Sequence, residues 1–323
     1  MTTIIPVASG KGGVGKTVFT ANIGVALARA GKTVILVDLD LGGSNLHTCL
    51  GEKNNKPGVG NYIYKQERGL EALLVETRTP QLYFIPGDSL LPGTANLPYF
   101  RKLKILKELH ELIADYVILD LGSGSSYNTL DFFLTSSAGI LVLSPETTSI
   151  LNAYSFIKAA LFRLIYRSFP SRSEEREVVH RFMTERLEGT QQSTHALIEE
   201  LSRISAESGE KAQQQLSSFL PRVVLNMGKN QNDIQLGAKL RHVARKNLHV
   251  EVQYIGFLPY DEQVSASLLQ RAPLLTLNPD GVFSKGLAPV ASRIIREPVP
   301  TTPKLFDADE DLTQLAEEAR YQH

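Results

Sequence analysis

The chain has 323 residues, 42% of them hydrophobic, which is enough for one large α/β domain or two smaller ones. Lysine plus arginine and aspartate plus glutamate each number 34, and this zero net charge argues against a strongly basic nucleic-acid-binding protein. The single cysteine, Cys49, excludes a disulfide framework and a paired-cysteine metal site within one chain. The sequence has no signal-peptide pattern and no long apolar run, so we expect a cytoplasmic protein.

The strongest signal is a glycine-rich stretch between a short apolar strand and a helix. Residues 10–17 read Gly-Lys-Gly-Gly-Val-Gly-Lys-Thr and fit the phosphate-binding pattern G-x-x-x-x-G-K-[ST]. In such a loop, backbone N–H groups converge on phosphate oxygens, the helix N-terminus adds a partial positive charge and Lys16 adds a full one. Thr17 offers a hydroxyl to a phosphate-bound Mg²⁺. The predicted nucleotide-binding residues here are Gly10, Gly12, Gly13, Val14, Gly15, Lys16, Thr17 and Val18.

Two aspartates follow buried strands further along the chain. Asp40 lies just beyond an apolar strand at residues 33–38, and Asp120 ends another at residues 116–120. Open α/β sheets bind their ligands at the carboxyl ends of such strands. Asp120 has the form of a Walker B residue, which would hold a magnesium-bound water or the Thr17 hydroxyl. The alternative for Asp38 and Asp40, at the end of the strand at 33–38, is that these carboxylates only cap the loop that follows.

These residues resemble the MinD/ParA family of ATPases. Lys11 gives the loop the deviant form Lys-Gly-Gly-Val-Gly-Lys-Thr, and Asn45 follows Asp40 as in the MinD-like pattern D-x-D-x-x-x-x-N-L. The resemblance implies that Lys11 reaches phosphates bound by a second subunit, that Asp40 orients or deprotonates the attacking water, and that ATP and Mg²⁺ bridge a homodimer. The alternative for Lys11 is a solvated loop lysine. The implied catalytic residues are Lys11, Lys16 and Asp40, and the implied metal ligands are Thr17, Asp40 and Asp120.

Three weaker matches extend the resemblance. Gly122 lies in the segment that matches the family's second switch loop, as Asp40 lies in the segment that matches the first. A backbone N–H of the second switch loop should meet the γ-phosphate. The sequence Gly-Ser-Gly-Ser-Ser here departs from the family's usual proline or alanine beside a glycine. Asn226, at the end of a strand, is a candidate for contact with the adenine edge, and the alternative is an asparagine that turns the chain. Pro259 matches the family element G-x-[IL]-P-x-D, which packs around the adenine.

The alternation of apolar strands and helices predicts a doubly wound, mostly parallel α/β sheet over residues 1–297, the P-loop NTPase fold shared by MinD, ParA and the nitrogenase iron protein. Residues 171–220 interrupt this alternation and are predicted to form a helical insertion with helices at 174–188 and 193–219. The insertion either only stabilises the fold or recognises a partner specific to this branch of the MinD/ParA family. The preceding helix, 152–169, is apolar nearly all round, which favours burial over a membrane or partner surface.

One further helix is expected to cover the sheet. Apolar and charged residues alternate at helical spacing between positions 99 and 114. The face predicted to be buried consists of Leu103, Leu106, Leu109 and Ile113.

Two charged segments bear on the partners. The helix predicted at 233–247 crowds basic residues into its second half, which fits either a DNA-binding surface of the ParA kind or a solvated helix end whose cations favour the dipole. Residues 298–323 are predicted to form a proline-containing linker and an acidic, flexible tail. The six carboxylates between positions 306 and 323 would be repelled by anionic lipid, so this tail is not expected to be an amphipathic membrane anchor. The basic residues of the helix are Lys239, Arg241, His242, Arg245 and Lys246.

The residues and the resemblance together predict an ATPase that dimerises with ATP and hydrolyses it slowly until a partner completes the site. Its expected role is the positioning or number control of a division site, flagellum, pole or cargo, with the activator or cargo bound through residues 171–220. The alternative is a DNA-tethered, ParA-like partition ATPase. A metal-cluster carrier is disfavoured because Cys49 supplies only one cysteine per subunit, and nothing in the sequence marks the substrate pocket that a small-molecule ligase of related fold would need.

Overall fold

An eight-stranded sheet carries helices on both of its faces. The structure is a computed structural model and describes residues 2–64, 69–87, 97, 99–137, 139–184, 194–230, 232–297 and 317. The strands are β1 (Thr3–Ser9), β2 (Val34–Leu39), β3 (Val75–Glu76), β4 (Leu82–Ile85), β5 (Tyr116–Ser123), β6 (Ile140–Leu143), β7 (Arg222–Gly228) and β8 (Gln253–Pro259). The helices are α1 (Lys16–Arg29), α2 (Leu46–Leu50), α3 (Val59–Ile63), α4 (Tyr99–Glu111), α5 (Tyr127–Phe133), α6 (Thr147–Ser168), α7 (Glu174–Thr184), α8 (Thr194–Ile204), α9 (Ala206–Ser218), α10 (Asn232–Leu248), α11 (Gln263–Leu269), α12 (Leu274–Leu277) and α13 (Val282–Arg296).

The strand order places the start of the chain in the middle of the sheet. The order is β3-β4-β2-β5-β1-β6-β7-β8, and all neighbours are parallel except β3 and β4. β1 lies between β5 and β6, so the chain first extends the sheet on one side of β1 and later on the other. Such a reversal is where doubly wound sheets open a crevice for ligands. The predicted doubly wound, mostly parallel fold is therefore confirmed.

Continuous apolar strands explain why the sheet is covered on both sides. β2 and the first six residues of β5 are buried throughout, as expected for parallel strands with helices on both faces. One apolar cluster packs α1 and α13 on the first face, with Phe19 and Leu287 fully buried. The other cluster packs α5, α6 and α10 on the second face, with Phe133 and Phe156 meeting edge to face.

The insertion forms three helices in the described residues, where two were predicted. Ser205 ends the expected second helix early, because its side chain accepts a hydrogen bond from the Ser208 N–H and caps α9. The helices α7, α8 and α9 bury apolar side chains against each other and against α6, with Leu197 and Leu201 fully buried. The apolar residues all round α6 therefore face the sheet, α10 and the insertion, as the burial interpretation required.

The predicted buried face of α4 is wrong at two of its four positions. Leu103 is 42% exposed and Ile113, beyond the end of the helix, is 90% exposed, whereas Leu109 is buried as expected. The helix turns instead so that Ile105 and the charged Lys102 lie inside. Lys102 is drawn in because it forms an ion pair with a buried carboxylate on the neighbouring helix α5.

Part of the predicted organisation falls outside the described residues. This holds for the C-terminal tail at 298–323, except for Glu317, and for positions 185–193 of the insertion. Within the ranges that are described, no helix combines the length and apolar character needed to cross a membrane.

Candidate nucleotide-binding site

The glycine-rich loop connects β1 to α1 at the centre of the carboxyl edge of the sheet. Gly15 caps α1 with a positive φ of 82°, a left-handed conformation that favours glycine. Gly10 is needed for a different reason, since a Cβ atom there would lie 2.4 Å from the backbone carbonyl of Asn152 in α6. The loop is thus held between its own helix and α6, with its N–H groups free to converge at the N-terminus of α1.

Lys16 and Asp120 form a buried ion pair at the base of this loop. Lys16 Nζ lies 2.8 Å from Asp120 Oδ1, and both residues are almost completely buried. Thr20, one helical turn after the lysine, donates a hydrogen bond of 3.0 Å to the same oxygen. The other oxygen, Asp120 Oδ2, is buried and has no hydrogen-bond partner among the described residues. One carboxylate oxygen thus stays available for a further ligand.

Asp38 organises the loop that follows β2. Its carboxylate accepts hydrogen bonds from the Ser44 hydroxyl at 2.6 Å and from the backbone N–H groups of Leu46 and Asp40 at 3.1 Å. Burial, followed by the charge of Asp120 in the next strand, raises the pKa of Asp38 to about 7. Asp38 therefore shapes this loop, as the loop-capping alternative proposed, and Asp40 is left partly exposed at its tip.

The loops after β2 and β5 meet at Asp40 and Gly122. A Cβ atom on Gly122 would lie 3.3 Å from Asp40 Oδ1, so the carboxylate packs against the glycine backbone. Asp40 also lines a cavity of about 420 Å³ together with the phosphate loop, Asn45 and Cys49. The two predicted switches and the phosphate loop therefore share one space.

A second cavity continues from the first toward the end of β8. Its volume is about 290 Å³, and Pro259, Tyr260 and Phe283 form much of its apolar wall. Both cavities are lined by Gly13, Gly15, Val18 and Leu268. A mostly apolar cavity beside a polar one suits a ligand with a flat base at one end and phosphates at the other.

Asn226 lies between the phosphate loop and the second cavity. Its side-chain amide donates a hydrogen bond of 2.8 Å to the Val14 carbonyl and is 3% exposed. The amide nitrogen also lies close to Gly15, where a Cβ atom would be only 2.4 Å away. Asn226 thus braces the phosphate loop and also lines the cavity where the adenine is expected. Its contact with the base stays a prediction.

Lys11 lies on the surface of the loop and contacts its own chain. Its amine donates hydrogen bonds to Glu146 at 2.9 Å and to Thr148 at 3.2 Å. The side chains of Lys11 and Glu146 are 40% and 58% exposed. The lysine is therefore neither buried nor freely solvated, and its contact with a second subunit stays a prediction.

The structure adds residues to the site that sequence reasoning did not select. Thr20 lies four residues after Lys16 and hence on the same face of α1, a spacing that could have indicated it. Glu146 follows β6 at the carboxyl edge, where its position could have marked it in the same way as Asp40. Nothing in the sequence indicates that Ser44 supports Asp38.

The oxygen atoms and positive charges at the site fit Mg²⁺ and a nucleoside triphosphate. Asp120 offers an unused buried oxygen, and Thr17 and Asp40 line or adjoin the same cavity with oxygen atoms. Mg²⁺ usually binds few protein oxygens and keeps several of its water ligands, so two or three protein oxygen donors are sufficient to hold it. Lys16 and the helix N-terminus supply the positive charge for phosphates.

The basic helix, for which a DNA-binding surface and a solvated helix end were the two interpretations, uses two of its cations within the fold. Arg241 is 3% exposed, donates a hydrogen bond to the Val252 carbonyl and stacks on the Tyr254 ring. Arg245 forms a bidentate ion pair with Glu251. Lys239, His242 and Lys246 remain exposed, a smaller basic surface than the sequence suggested.

The fold, the lysine–aspartate pair and the two-part cavity define a P-loop nucleotide-binding protein with a deviant loop. The family model described as CobQ/CobB/MinD/ParA nucleotide binding domain matches residues 5–274. The chain therefore belongs to this family.

Individual relatives agree with this assignment. The flagellum site-determining protein YlxH of Helicobacter pylori is 33% identical over 162 residues, which cover 49% of this chain and 53% of that protein. The antiactivator FleN of Pseudomonas aeruginosa is 24% identical over 304 residues, 93% of this chain and 89% of FleN. The chain spans about half the length of several curated relatives that it matches.

A solved structure shows the same fold. The septum site-determining protein MinD of Pyrococcus horikoshii, in complex with Mg-ADP, superposes with a TM-score of 0.62 at 20% identity. The superposition covers 92% of this chain and 97% of that one. At this level of identity the likeness concerns the fold alone.

Proposed function

We propose that this chain is an ATPase that works as an ATP-dependent dimerisation switch in the positioning or number control of a cellular structure. The observation that carries the proposal is that Lys16, paired with the buried Asp120, lines one cavity together with Asp40, while Lys11 lies on the exposed rim of the same loop. Relatives named for flagellum site determination and antiactivation, and a structural neighbour that binds Mg-ADP, support the nucleotide and the cellular role. The proposed setting is the cytoplasm.

Nucleotide binding begins with an exchange of partners by Lys16. Its amine, now paired with Asp120, turns to the phosphate oxygens, and the loop N–H groups surround them. Asp120 and Thr17 would hold Mg²⁺ directly or through its waters, with Asp40 close by. The metal ion would neutralise charge that develops on the phosphates during transfer. Asn226 keeps the loop in the shape that this exchange requires.

Hydrolysis depends on the contact between Asp40 and Gly122. In the proposed mechanism the aspartate orients or deprotonates the attacking water, and the Gly122 N–H contacts the γ-phosphate. Phosphoryl transfer needs positioning and charge neutralisation more than covalent help, so small changes in these two loops control the rate. A slow rate follows until a partner, for which the insertion α7–α9 is the proposed surface, fixes them.

Dimerisation depends on Lys11. In the proposed dimer, Lys11 leaves Glu146 and contacts the phosphates bound by the other subunit. Because both Lys11 and Glu146 are exposed, this exchange breaks only a weak surface ion pair. The dimer would therefore form only when a triphosphate offers the lysine a stronger partner.

Size-exclusion chromatography with light scattering tests the proposal, using no nucleotide, ADP and ATP. The wild type should dimerise only with ATP, Asp40→Ala should stay dimeric with ATP, and Lys11→Ala should remain a monomer. Lys107→Ala is a matched control, because Lys107 also forms an exposed ion pair, with Glu111 on α4. Monomers under all conditions, with normal ATP turnover, would contradict the switch.

A further inference from the structure

A groove of about 440 Å³ lies between α1 and α13, away from the nucleotide site. The groove stays open because the side chains of Ala26, Ala30 and Ala288 are small. Its apolar walls include Leu275 and Leu287. The groove adjoins the C-terminal end of α1, whereas the phosphate loop adjoins its N-terminal end. The fourteen residues of α1, from Lys16 to Arg29, place these ends about 21 Å apart at the rise of an α-helix.

A buried hydroxyl in the wall of this groove has no partner. Ser284 is 2% exposed, and its Oγ makes no hydrogen bond with any of the described residues. The equally buried Ser44, Ser208 and Ser267 each donate a hydrogen bond from their hydroxyls. A buried polar group without a partner is unfavourable, and because solvent does not reach the Ser284 Oγ, a ligand atom in the groove would complete it after rotation of the side chain about χ1.

Two arginines lie at the groove and no carboxylate does. Arg29 and Arg296 are exposed, and none of the described residues that line the groove is acidic. Arg29 uses one N–H on the Leu275 carbonyl, and Arg296 has no hydrogen bond or ion pair within the described ranges. The rim therefore presents positive charge beside an apolar floor.

The lining defines the class of ligand. An apolar body would fill the space between the alanines, and an anionic head would accept hydrogen bonds from the guanidinium groups. At roughly 30 Å³ per non-hydrogen atom, the groove holds about 14 such atoms. A volume of this size, apolar with a few polar groups, is typical of small-molecule sites.

The groove is connected to the nucleotide site through the start of α13. Ser284 lines the groove, and the preceding residue, Phe283, lines the cavity where the adenine is expected. The Phe283 N–H also donates a hydrogen bond to Asp261, another residue of that cavity. A ligand that shifts this first turn of α13 would therefore change the shape of the base cavity.

We propose that the α1–α13 groove is an effector site for a free, single-chain aliphatic carboxylate, and that its occupation changes nucleotide affinity. The ligand's chain lies against Ala26, Ala30 and Ala288, and its carboxylate is bound by Arg296. The Ser284 hydroxyl donates to a ligand oxygen. The proposal concerns a separate site and does not depend on ATP hydrolysis or dimerisation.

Calorimetric titration of the full chain with decanoate, below its aggregation concentration, tests the site. We expect one decanoate per chain, with affinity at least about tenfold weaker in Arg296→Glu and several-fold weaker in Ser284→Ala. Ala288→Trp should abolish binding because the indole fills the groove from its exposed edge. Ala206→Trp, at another exposed alanine on α9, is the matched control and should bind normally. The chain has no tryptophan of its own, so indole fluorescence reports whether the two tryptophan variants are folded, and far-UV circular dichroism does so for Arg296→Glu and Ser284→Ala.

Two comparison ligands and a linkage measurement complete the test. Decanol and decyltrimethylammonium should bind at least about tenfold more weakly than decanoate, since neither offers an anion to Arg296. Saturating decanoate should change the dissociation constant of ADP at least twofold in the wild type and not in Ala288→Trp. Three results would each overturn the proposal. They are decanol binding as tight as decanoate binding, an unchanged affinity for decanoate in Arg296→Glu and Ser284→Ala, and an affinity for ADP that does not change when decanoate is bound.

Discussion

Lys11 and Glu146 are 135 positions apart in the chain, yet the lysine amine donates a hydrogen bond of 2.9 Å to the glutamate. Lys11 belongs to the phosphate loop, and Glu146 lies between β6 and α6. Exposed ion pairs of this kind contribute about 0.2–1 kcal/mol, so the lysine can leave with little loss of free energy. The pair therefore competes with the proposed contact between Lys11 and the second subunit.

Replacing Glu146 by glutamine should favour the ATP-bound dimer. The change removes a partner worth up to about 1 kcal/mol from each of the two Lys11 residues of the dimer, so the dimer should form at a protein concentration up to about thirtyfold lower. Sedimentation velocity at several protein concentrations with ATP measures this. Glu111→Gln, which disturbs the exposed pair with Lys107, is the control and should leave the dimer unchanged. A dimer that needs more protein than the wild type would show that Glu146 does not compete for Lys11.

Replacing Lys16 by alanine should abolish stabilisation by Mg-ADP. The wild type should gain about 2.7 kcal/mol in free energy of unfolding at a ligand concentration of 100 times Kd, and the variant should gain nothing. The variant should also lose about 3–5 kcal/mol without nucleotide, because Asp120 becomes a buried charge with no counterion. Urea unfolding with and without Mg-ADP measures both effects. If the variant kept its response to Mg-ADP, Lys16 would not be a phosphate ligand.

Replacing Asp40 by asparagine should slow hydrolysis and spare binding. Loss of a general base typically lowers the rate by about 10²–10⁴-fold. The similar size of asparagine preserves the packing against Gly122, so ATP affinity should change less than about threefold. Single-turnover phosphate release and fluorescent ATP binding measure the two quantities, with the exposed Asp280→Asn as control. Turnover at the wild-type rate would remove Asp40 from the catalytic residues.

Asp131 in α5 ties three helices together and should give the fold a defined pH dependence. It is 2% exposed and accepts hydrogen bonds from Arg163 at 2.8 and 3.0 Å and from Lys102 at 2.5 Å. Burial alone would raise its pKa, but these hydrogen bonds outweigh burial and hold the pKa below the ordinary value. Because the folded pKa is depressed, the stabilisation is present above about pH 4 and is lost as pH falls further.

Asp131→Asn should therefore unfold at lower urea concentration than the wild type from pH 5 to 8. The expected loss is about 3–5 kcal/mol, since the buried Lys102 and the partly buried Arg163 lose their counterion. The difference should shrink below about pH 4, where the wild-type carboxylate becomes protonated. Glu200→Gln, in the more exposed ion pair with Arg181, is the control and should cost no more than about 1 kcal/mol. A difference that does not depend on pH would mean that packing, not charge, explains the loss.

Local patterns were sufficient to predict the phosphate loop, the parallel sheet and the positions of Asp40 and Asp120. Each depends on residues that are close in sequence, such as glycines in a tight turn or a run of apolar residues that ends in a carboxylate. The structure then places these segments side by side because parallel strands align their carboxyl ends. In β2 and β5, Asp38 lies opposite Asp120, in register.

The features that were missed depend on contacts between distant segments. A lysine in a helix is predicted to be exposed, and only the carboxylate of Asp131 explains why Lys102 turns inward and rotates the buried face of α4. Ser205 begins a new helix within a stretch of helix-favouring composition because its side chain finds the Ser208 N–H. Spacing alone carries none of this information.

The close contact at Gly10 has a mechanical consequence. The phosphate loop rests on the backbone of α6 near its N-terminus, and α6 is a continuous helix of 22 residues, about 33 Å long. At its other end, Arg176 of α7 donates hydrogen bonds to the carbonyls of Tyr166 and Phe169. The helix α6 therefore connects the phosphate loop to the insertion through one continuous element. A tilt of about 5° around the loop contact would displace the far end of the helix, about 24 Å away, by about 2 Å.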